Sequence, residues 1–226
     1  MDYQSENAQT IDRWVDEGWQ WGVPISHDAF VDAQHGSWNI LLTPTKPVPH
    51  EWVGDVRGKR VLGLASGGAQ QMPVMAALGA QCTVLDYSSR QCEREYEVAD
   101  REGYDIEVIQ ADMTQPLPFA DESFDLIINP VSNCYIEQVK PVFRECYRVL
   151  KPGGELYFSD IFSDRRVPEG FYDDPILRGE CLSGAMYIED FHPSRGPAGM
   201  GHAVLAHARR TDRRPARSGI HTARAV

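Results

Sequence analysis

From Lys59 onward, short β-branched, apolar runs alternate with segments of helical period, and this alternation limits the chain to a small set of folds. Arg60 to Leu64, Cys82 to Asp86, Ile106 to Gln110, Phe124 to Ile128 and Glu155 to Asp160 are the expected strands. Gln71 to Leu78, Ser89 to Glu102 and Glu137 to Leu150 are the expected helices between them. Gly79, Gly103 and Lys151-Pro152-Gly153-Gly154 sit where those helices should stop. Strand and helix taking turns predicts a parallel sheet with right-handed crossovers and helices on both faces, an α/β fold of three αβα layers. At 226 residues and 42% hydrophobic content, the chain can bury one ordinary core.

In such a sheet a ligand lies across the carboxyl ends of the strands. The first of those ends runs into Ala65-Ser66-Gly67-Gly68-Ala69, a loop almost free of side chains, followed by a helix with Pro73 in its first turn. The second ends in Asp86, where a carboxylate can accept hydrogen bonds from two ribose hydroxyls. Loop and carboxylate together are expected to hold a nucleoside. A nicotinamide dinucleotide is one alternative, but the G-x-G-x-x-G fingerprint is not met, since the loop reads A-S-G-G-A-Q with no third glycine. A glycine turn that serves only the sheet is another.

Further along, "ADMTQPLPFADESFDLIINPVSNCYIE" at 111–137 and "VFRECYRVLKPGGELYFSD" at 142–160 follow in order. With the glycine loop and Asp86 they resemble the class I S-adenosylmethionine-dependent methyltransferases, particularly the small-molecule group with a type 11-like domain, collinearly over about residues 55–160. The resemblance implies a Rossmann-like sheet and S-adenosylmethionine as cofactor. It implies that Ala65, Ser66, Gly67 and Gly68 touch the methionine part, and that Asp86 binds the ribose with Tyr87 beside the adenine. Asp112 and Met113 would meet the adenine amino group and ring face, and Asn129 and Pro130 would lie near the sulfonium and its methyl. Tyr135, close after the fourth strand, is the candidate for lining the acceptor pocket.

The loop departs from the family pattern. Gly63 stands where an acidic residue is usual, and Ala65 and Ala69 stand at glycine positions. The missing carboxylate makes a non-catalytic cofactor-binding remnant a further alternative. No catalytic triad is expected, because displacement at an activated sulfonium methyl mainly needs donor and acceptor aligned and water excluded. Residues 155–191 carry a narrower resemblance to arsenite methyltransferases, in the segments D-R-R-V-P-E and G-E-C-L-S-G-A-M-Y. On that resemblance Cys181 would be an arsenic-binding thiolate and arsenite an alternative acceptor.

Composition narrows the partners. A net charge of −11 argues against a nucleic-acid backbone and favours a small-molecule acceptor. Five cysteines form no CxxC pair and are expected to be reduced, mostly buried thiols, with no metal site. The polar, acidic start and the lack of any apolar run near ~20 residues point to a cytoplasmic protein with no membrane partner. All five tryptophans (Trp14, Trp19, Trp21, Trp38, Trp52) lie within residues 1–54, which are expected to form an aromatic, helical lid over the cleft or to cover the sheet's edge. His27 is expected to be structural.

Residues 55–191 are then the methyltransferase domain, and 192–226 look like a different sequence. That tail holds seven of the 22 Lys and Arg residues, all arginine, one of the 33 acidic residues and no aromatic residue. It is expected to be a disordered basic arm, leaving the sheet without its last two strands. So abrupt a change is what a shifted reading frame near His192 would leave. Translating the other frames of the coding DNA tests this: a strand-like continuation in one supports it, and its absence from all removes it.

Overall fold

The computed structural model describes residues 3–42, 47–162, 186–194 and 202–210. The N-terminal segment contributes α1 (Tyr3–Asp16), a 3-10 turn (Gln20–Gly22), α2 (His27–Gln34) and α3 (His50–Val53). Then β1 (Arg60–Leu64), α4 (Met72–Ala77), β2 (Gln81–Asp86), α5 (Ser89–Glu102) and β3 (Ile106–Gln110) alternate. They are followed by β4 (Phe124–Asn129), a second 3-10 turn (Asn133–Tyr135), α6 (Val139–Val149), β5 (Leu150–Phe162), β6 (Met186–Ser194) and β7 (His202–Arg210). The seven strands form one sheet in the order β3-β2-β1-β4-β5-β7-β6. The first five run parallel, and the strand order reverses between β1 and β4, where the crevice of such a sheet opens.

Burial follows the two-residue period of the strands. Leu62, Leu64, Ile127, Leu156 and Phe158 join one core cluster with Phe143 and Val149 of α6. Their neighbours Val61, Leu126, Ile128 and Tyr157 join the other with Met72 and Met75. Consecutive side chains leave opposite faces, so a strand apolar at every position supplies both cores, as strands buried on two faces must. The helix ends use the expected chemistry. Ser88 caps α5 by accepting from the Gln91 N–H, and Gly103, at φ +74°, closes its far end through its N–H to the Ala99 carbonyl. No helix among the described residues is long and apolar enough to cross a membrane.

The C-terminal segment corrects the expectation of a sheet lacking its last strands. β7 pairs antiparallel with β5 from Glu155–Arg209 to Phe162–His202, and β6 pairs antiparallel with β7. Main-chain groups along the free edge of β5 need partners, and an extended segment can supply them whatever its side chains. The arginines that suggested a disordered arm help to hold it. Arg209 pairs with Glu155, while Arg210 pairs with Glu122, donates to the Leu150 carbonyl and lies over the Tyr147 ring. Of the tail, 192–194 and 202–210 belong to these strands; the rest lies outside the described residues.

Candidate functional site

A cavity of about 270 Å³ opens across the carboxyl ends of the parallel strands. Ala65, Ser66 and Gly67 after β1, Asp86 and Tyr87 at β2, Asp112 and Met113 after β3, and Pro130 and Tyr135 after β4 all line it. These nine of the sequence-derived candidates are therefore brought together. Gly68 and Asn129 are not in the wall, and Cys181 lies outside the described residues.

The glycine loop keeps its shape despite its alanines. Ala65 and Ala69 adopt φ +47° and +54°, the left-handed region that a glycine enters without strain. Local hydrogen bonds hold them there: the Ala65 N–H donates to the Leu85 carbonyl at 2.7 Å and the Ala69 N–H to Glu95 Oε1 at 2.7 Å. Gly63 needs no carboxylate for packing, because Met72 occupies the adjoining space; a Cβ at 63 would lie 3.0 Å from its Cγ. Gly68, at φ +91°, is where the N-terminal segment crosses the loop, and a Cβ there would lie 2.5 Å from the Trp21 carbonyl oxygen.

Asp86 faces this loop with its carboxylate already oriented. Its Oδ2 accepts from the Gly67 N–H and its Oδ1 from the Ser88 N–H, both at 2.9 Å. Burial pushes the carboxyl up. The N–H groups of Ser88, Gly67 and Tyr87 pull it back down, while the nearby Asp12 charge adds to the rise. Asp112 points one oxygen at the Thr114 N–H and hydroxyl, which fixes its rotamer beside Met113. The donor set fits a nucleoside: a carboxylate at the end of β2 for a diol, a second after β3 for an exocyclic amine, and a buried Met113 side chain for a ring face. Burial also raises Tyr135, so its phenol stays protonated near neutrality and can donate a hydrogen bond.

Asn129 is fully buried beneath the wall. Its amide donates to the Leu64 carbonyl and the Ser132 hydroxyl, and its Oδ1 accepts from Asn133. It ties the ends of β1 and β4 together, leaving Pro130, Val131 and Ser132 to face the cavity. Position at a strand end marks the residue but not the direction of its side chain.

The opposite wall comes from the N-terminal segment. Gln4, Asn7, Ala8 and Ile11 of α1 line the cavity at the i, i+3, i+4, i+7 spacing of one helix face. That spacing was legible, but the stripe is half amide and lacks the apolar signal that marks a packed helix. Trp19 and Trp21 line the cavity too, and Trp14 packs on Trp19 at 5.4 Å between ring centroids. Trp38 instead stacks on His50, and Trp52 packs near Tyr157 in the core beneath the other face. Trp19 and Trp21 thus face the cavity, while Trp38 and Trp52 pack against the core beneath a sheet face rather than at the sheet's edge. His27 is exposed and pairs with Glu102, away from the cavity. Gln70, Gln71 and Gln91 were not foreseen; they line the cavity and donate to main-chain carbonyls of the N-terminal segment at Gln20 and Val23, Leu41 and Trp21 respectively.

Comparison with known proteins agrees with this architecture. Residues 62–158 match a family described as a methyltransferase domain. The chain is 43% identical over 152 residues to the uncharacterized methyltransferase YbaJ of Bacillus subtilis, covering 67% of this chain and 60% of that protein. It is 42% identical over 153 residues to an arsenite methyltransferase of Aquipseudomonas alcaligenes, covering 59% of this chain and 42% of that one. The chain thus spans about half the length of these relatives. Among solved structures, an arsenic(III) S-adenosylmethionine methyltransferase from Chlamydomonas reinhardtii superposes with a TM-score of 0.54 at 25% identity, covering 82% of this chain and 72% of that one. A sarcosine dimethylglycine methyltransferase homologue from Galdieria sulphuraria, with a TM-score of 0.60 at 17% identity over 72% of this chain and 82% of that one, shares the fold. With its motifs in order on a sheet of this topology, the chain carries a methyltransferase domain over residues 62–158.

Proposed function

We propose that the chain binds S-adenosylmethionine in this cavity and transfers its methyl group to a small-molecule acceptor. The observation that carries the reading is Asp86, held by Gly67 and Ser88 N–H groups at the mouth of the glycine loop. Asp86 would accept from the ribose hydroxyls and Asp112 from the adenine amine, with Met113 and Tyr87 against the ring. Ala65 to Gly67 would leave room for the methionine part, and Gly68 supports the loop from behind. When bound, the cofactor supplies a methyl already activated on a sulfonium sulfur. What remains for the protein is alignment and exclusion of water. Pro130, Val131 and Tyr135 on one side, with Gln4 and Asn7 on the other, would form the acceptor end, where the Tyr135 phenol can orient an acceptor by donating to it.

Isothermal titration with S-adenosylmethionine, S-adenosylhomocysteine and NAD tests this. Micromolar binding of the first two and none of the third is expected. No binding to the folded protein, or binding of NAD alone, overturns the reading. Arsenite is the second reading for the acceptor, favoured by the 42% identity to the Aquipseudomonas alcaligenes enzyme. A methylated arsenic product from protein, cofactor, thiol and arsenite would support it; turnover of another acceptor with none of arsenite would remove it.

A further inference from the structure

α1 contributes four residues to the cavity wall, and Val15 is its one fully buried residue, so much of what holds it over the cavity lies in side chains that are only half-buried. Besides the Trp14 ring on Trp19 and the ion pair of Asp16 with Arg90, it makes polar contacts near its start and at Asp12. Near its start, the Asn7 amide donates to the Tyr135 carbonyl at 3.1 Å, and the Tyr3 hydroxyl accepts from the Glu137 N–H at 3.5 Å. Further along, Asp12 reaches the first turn of α5. Its Oδ1 accepts from the Ser88 hydroxyl at 2.5 Å and the Arg90 N–H at 3.1 Å, and its Oδ2 from the Ser89 hydroxyl at 2.9 Å. A carboxylate at a helix N-terminus that takes free N–H groups and hydroxyls is well placed electrostatically.

Ser88 joins this latch to the candidate nucleoside anchor. It is 1% exposed, its N–H donates to Asp86 and its hydroxyl to Asp12. A shift of Ser88 therefore moves both carboxylates' partners at once. We propose that Asp12 is a positioning residue that couples docking of α1 over the cavity to nucleoside binding at Asp86, through Ser88. The inference rests on the cofactor reading above. Thermodynamic linkage requires the coupling to be mutual: a docked α1 tightens cofactor binding, and bound cofactor holds α1 down by the same factor.

The test compares wild type with Asp12→Asn, which keeps the shape but loses one acceptor oxygen and the charge, and with Ser89→Ala, which removes one of the three contacts and leaves Ser88. S-adenosylhomocysteine affinity is measured by titration, and hydrogen exchange of the α1 amides is followed with and without that ligand. In wild type the ligand should slow exchange across 3–16. Asp12→Asn should weaken binding about tenfold and Ser89→Ala about threefold, with ligand-dependent protection of α1 falling by matching factors. The unfolding midpoint of the ligand-free protein should stay within about 2 °C. Affinity within twofold of wild type in Asp12→Asn, or α1 exchange indifferent to ligand, overturns the coupling while leaving the cofactor reading intact. A lowered ligand-free midpoint with unchanged affinity would make Asp12 merely structural. A wild-type protein that binds no S-adenosylhomocysteine overturns the cofactor reading, and the coupling with it.

Discussion

Gly67→Ala is expected to weaken S-adenosylhomocysteine binding about 100-fold, roughly 2.7 kcal/mol, and to cost about 1–3 kcal/mol of stability through overpacking. The added methyl would stand 2.6 Å from Gln91 Cβ, 3.1 Å from the Gln91 carbonyl carbon and 3.0 Å from Asp86 Oδ2. Two of those neighbours belong to the rigid first turn of α5, and the third is the carboxylate that the loop exists to meet. Relief requires the loop to move away from α5, which breaks the hydrogen bond from the Gly67 N–H to Asp86. Gly68→Ala makes a useful contrast, because its methyl would press on the Trp21 carbonyl of the N-terminal segment. Its main effect should appear as faster hydrogen exchange in residues 19–23, with a smaller loss of affinity. Titration and denaturant unfolding of both variants check this, and a Gly67→Ala affinity within threefold of wild type would show that the loop does not contact the ligand as proposed.

The contrast between these glycines also shows what the sequence could reveal. β1 and β3 are legible to the residue, β1 as an apolar run between a charged residue and a small-residue loop, and β3 as a short β-branched segment with apolar and polar positions interspersed. The cluster of Asp86, Asp112 and the loop follows from topology, since parallel strands deliver their carboxyl ends to one edge. Side-chain direction is not carried by position. Asn129 therefore belongs with the strand ends by sequence but is spent on holding them together. The cavity face of α1 was hidden for a different reason: Gln4 and Asn7 give no apolar period, and the partner of the Asn7 amide, the Tyr135 carbonyl, lies over a hundred residues away. β5 starts at Leu150 rather than Glu155 because Lys-Pro-Gly-Gly, a breaker by composition, continues the strand across a register shift beside Phe124. β6 and β7 were illegible because edge pairing is satisfied by main-chain groups, which composition does not report.

Glu95→Gln is expected to stabilise the protein near pH 8 and to flatten its dependence of stability on pH. Glu95 is fully buried on α5, one oxygen accepting from the Ala69 N–H at 2.7 Å and the other without a hydrogen-bond partner. Burial raises its carboxyl from 4.5 to about 8, the Ala69 N–H opposing this and the Asp86 charge adding to it. The folded state therefore holds a proton that the unfolded chain releases at lower pH. A raised carboxyl value makes the folded state bind more protons, so the contribution to stability is full below about pH 4.5 and lost as pH rises toward 8. The loss is on the order of 2–4 kcal/mol, and a neutral amide, which can still accept from Ala69, escapes it. The buried Tyr104 hydroxyl, also without a hydrogen-bond partner, is the nearby polar group for which the new N–H can compete. Denaturant unfolding of both proteins from pH 5 to 8 isolates the effect, since other titrating groups cancel in the difference. Glu95→Gln should gain on wild type steadily across that range. Parallel curves would mean that Glu95 is ionised in the folded protein throughout, and that the Ala69 turn is held by a buried charge.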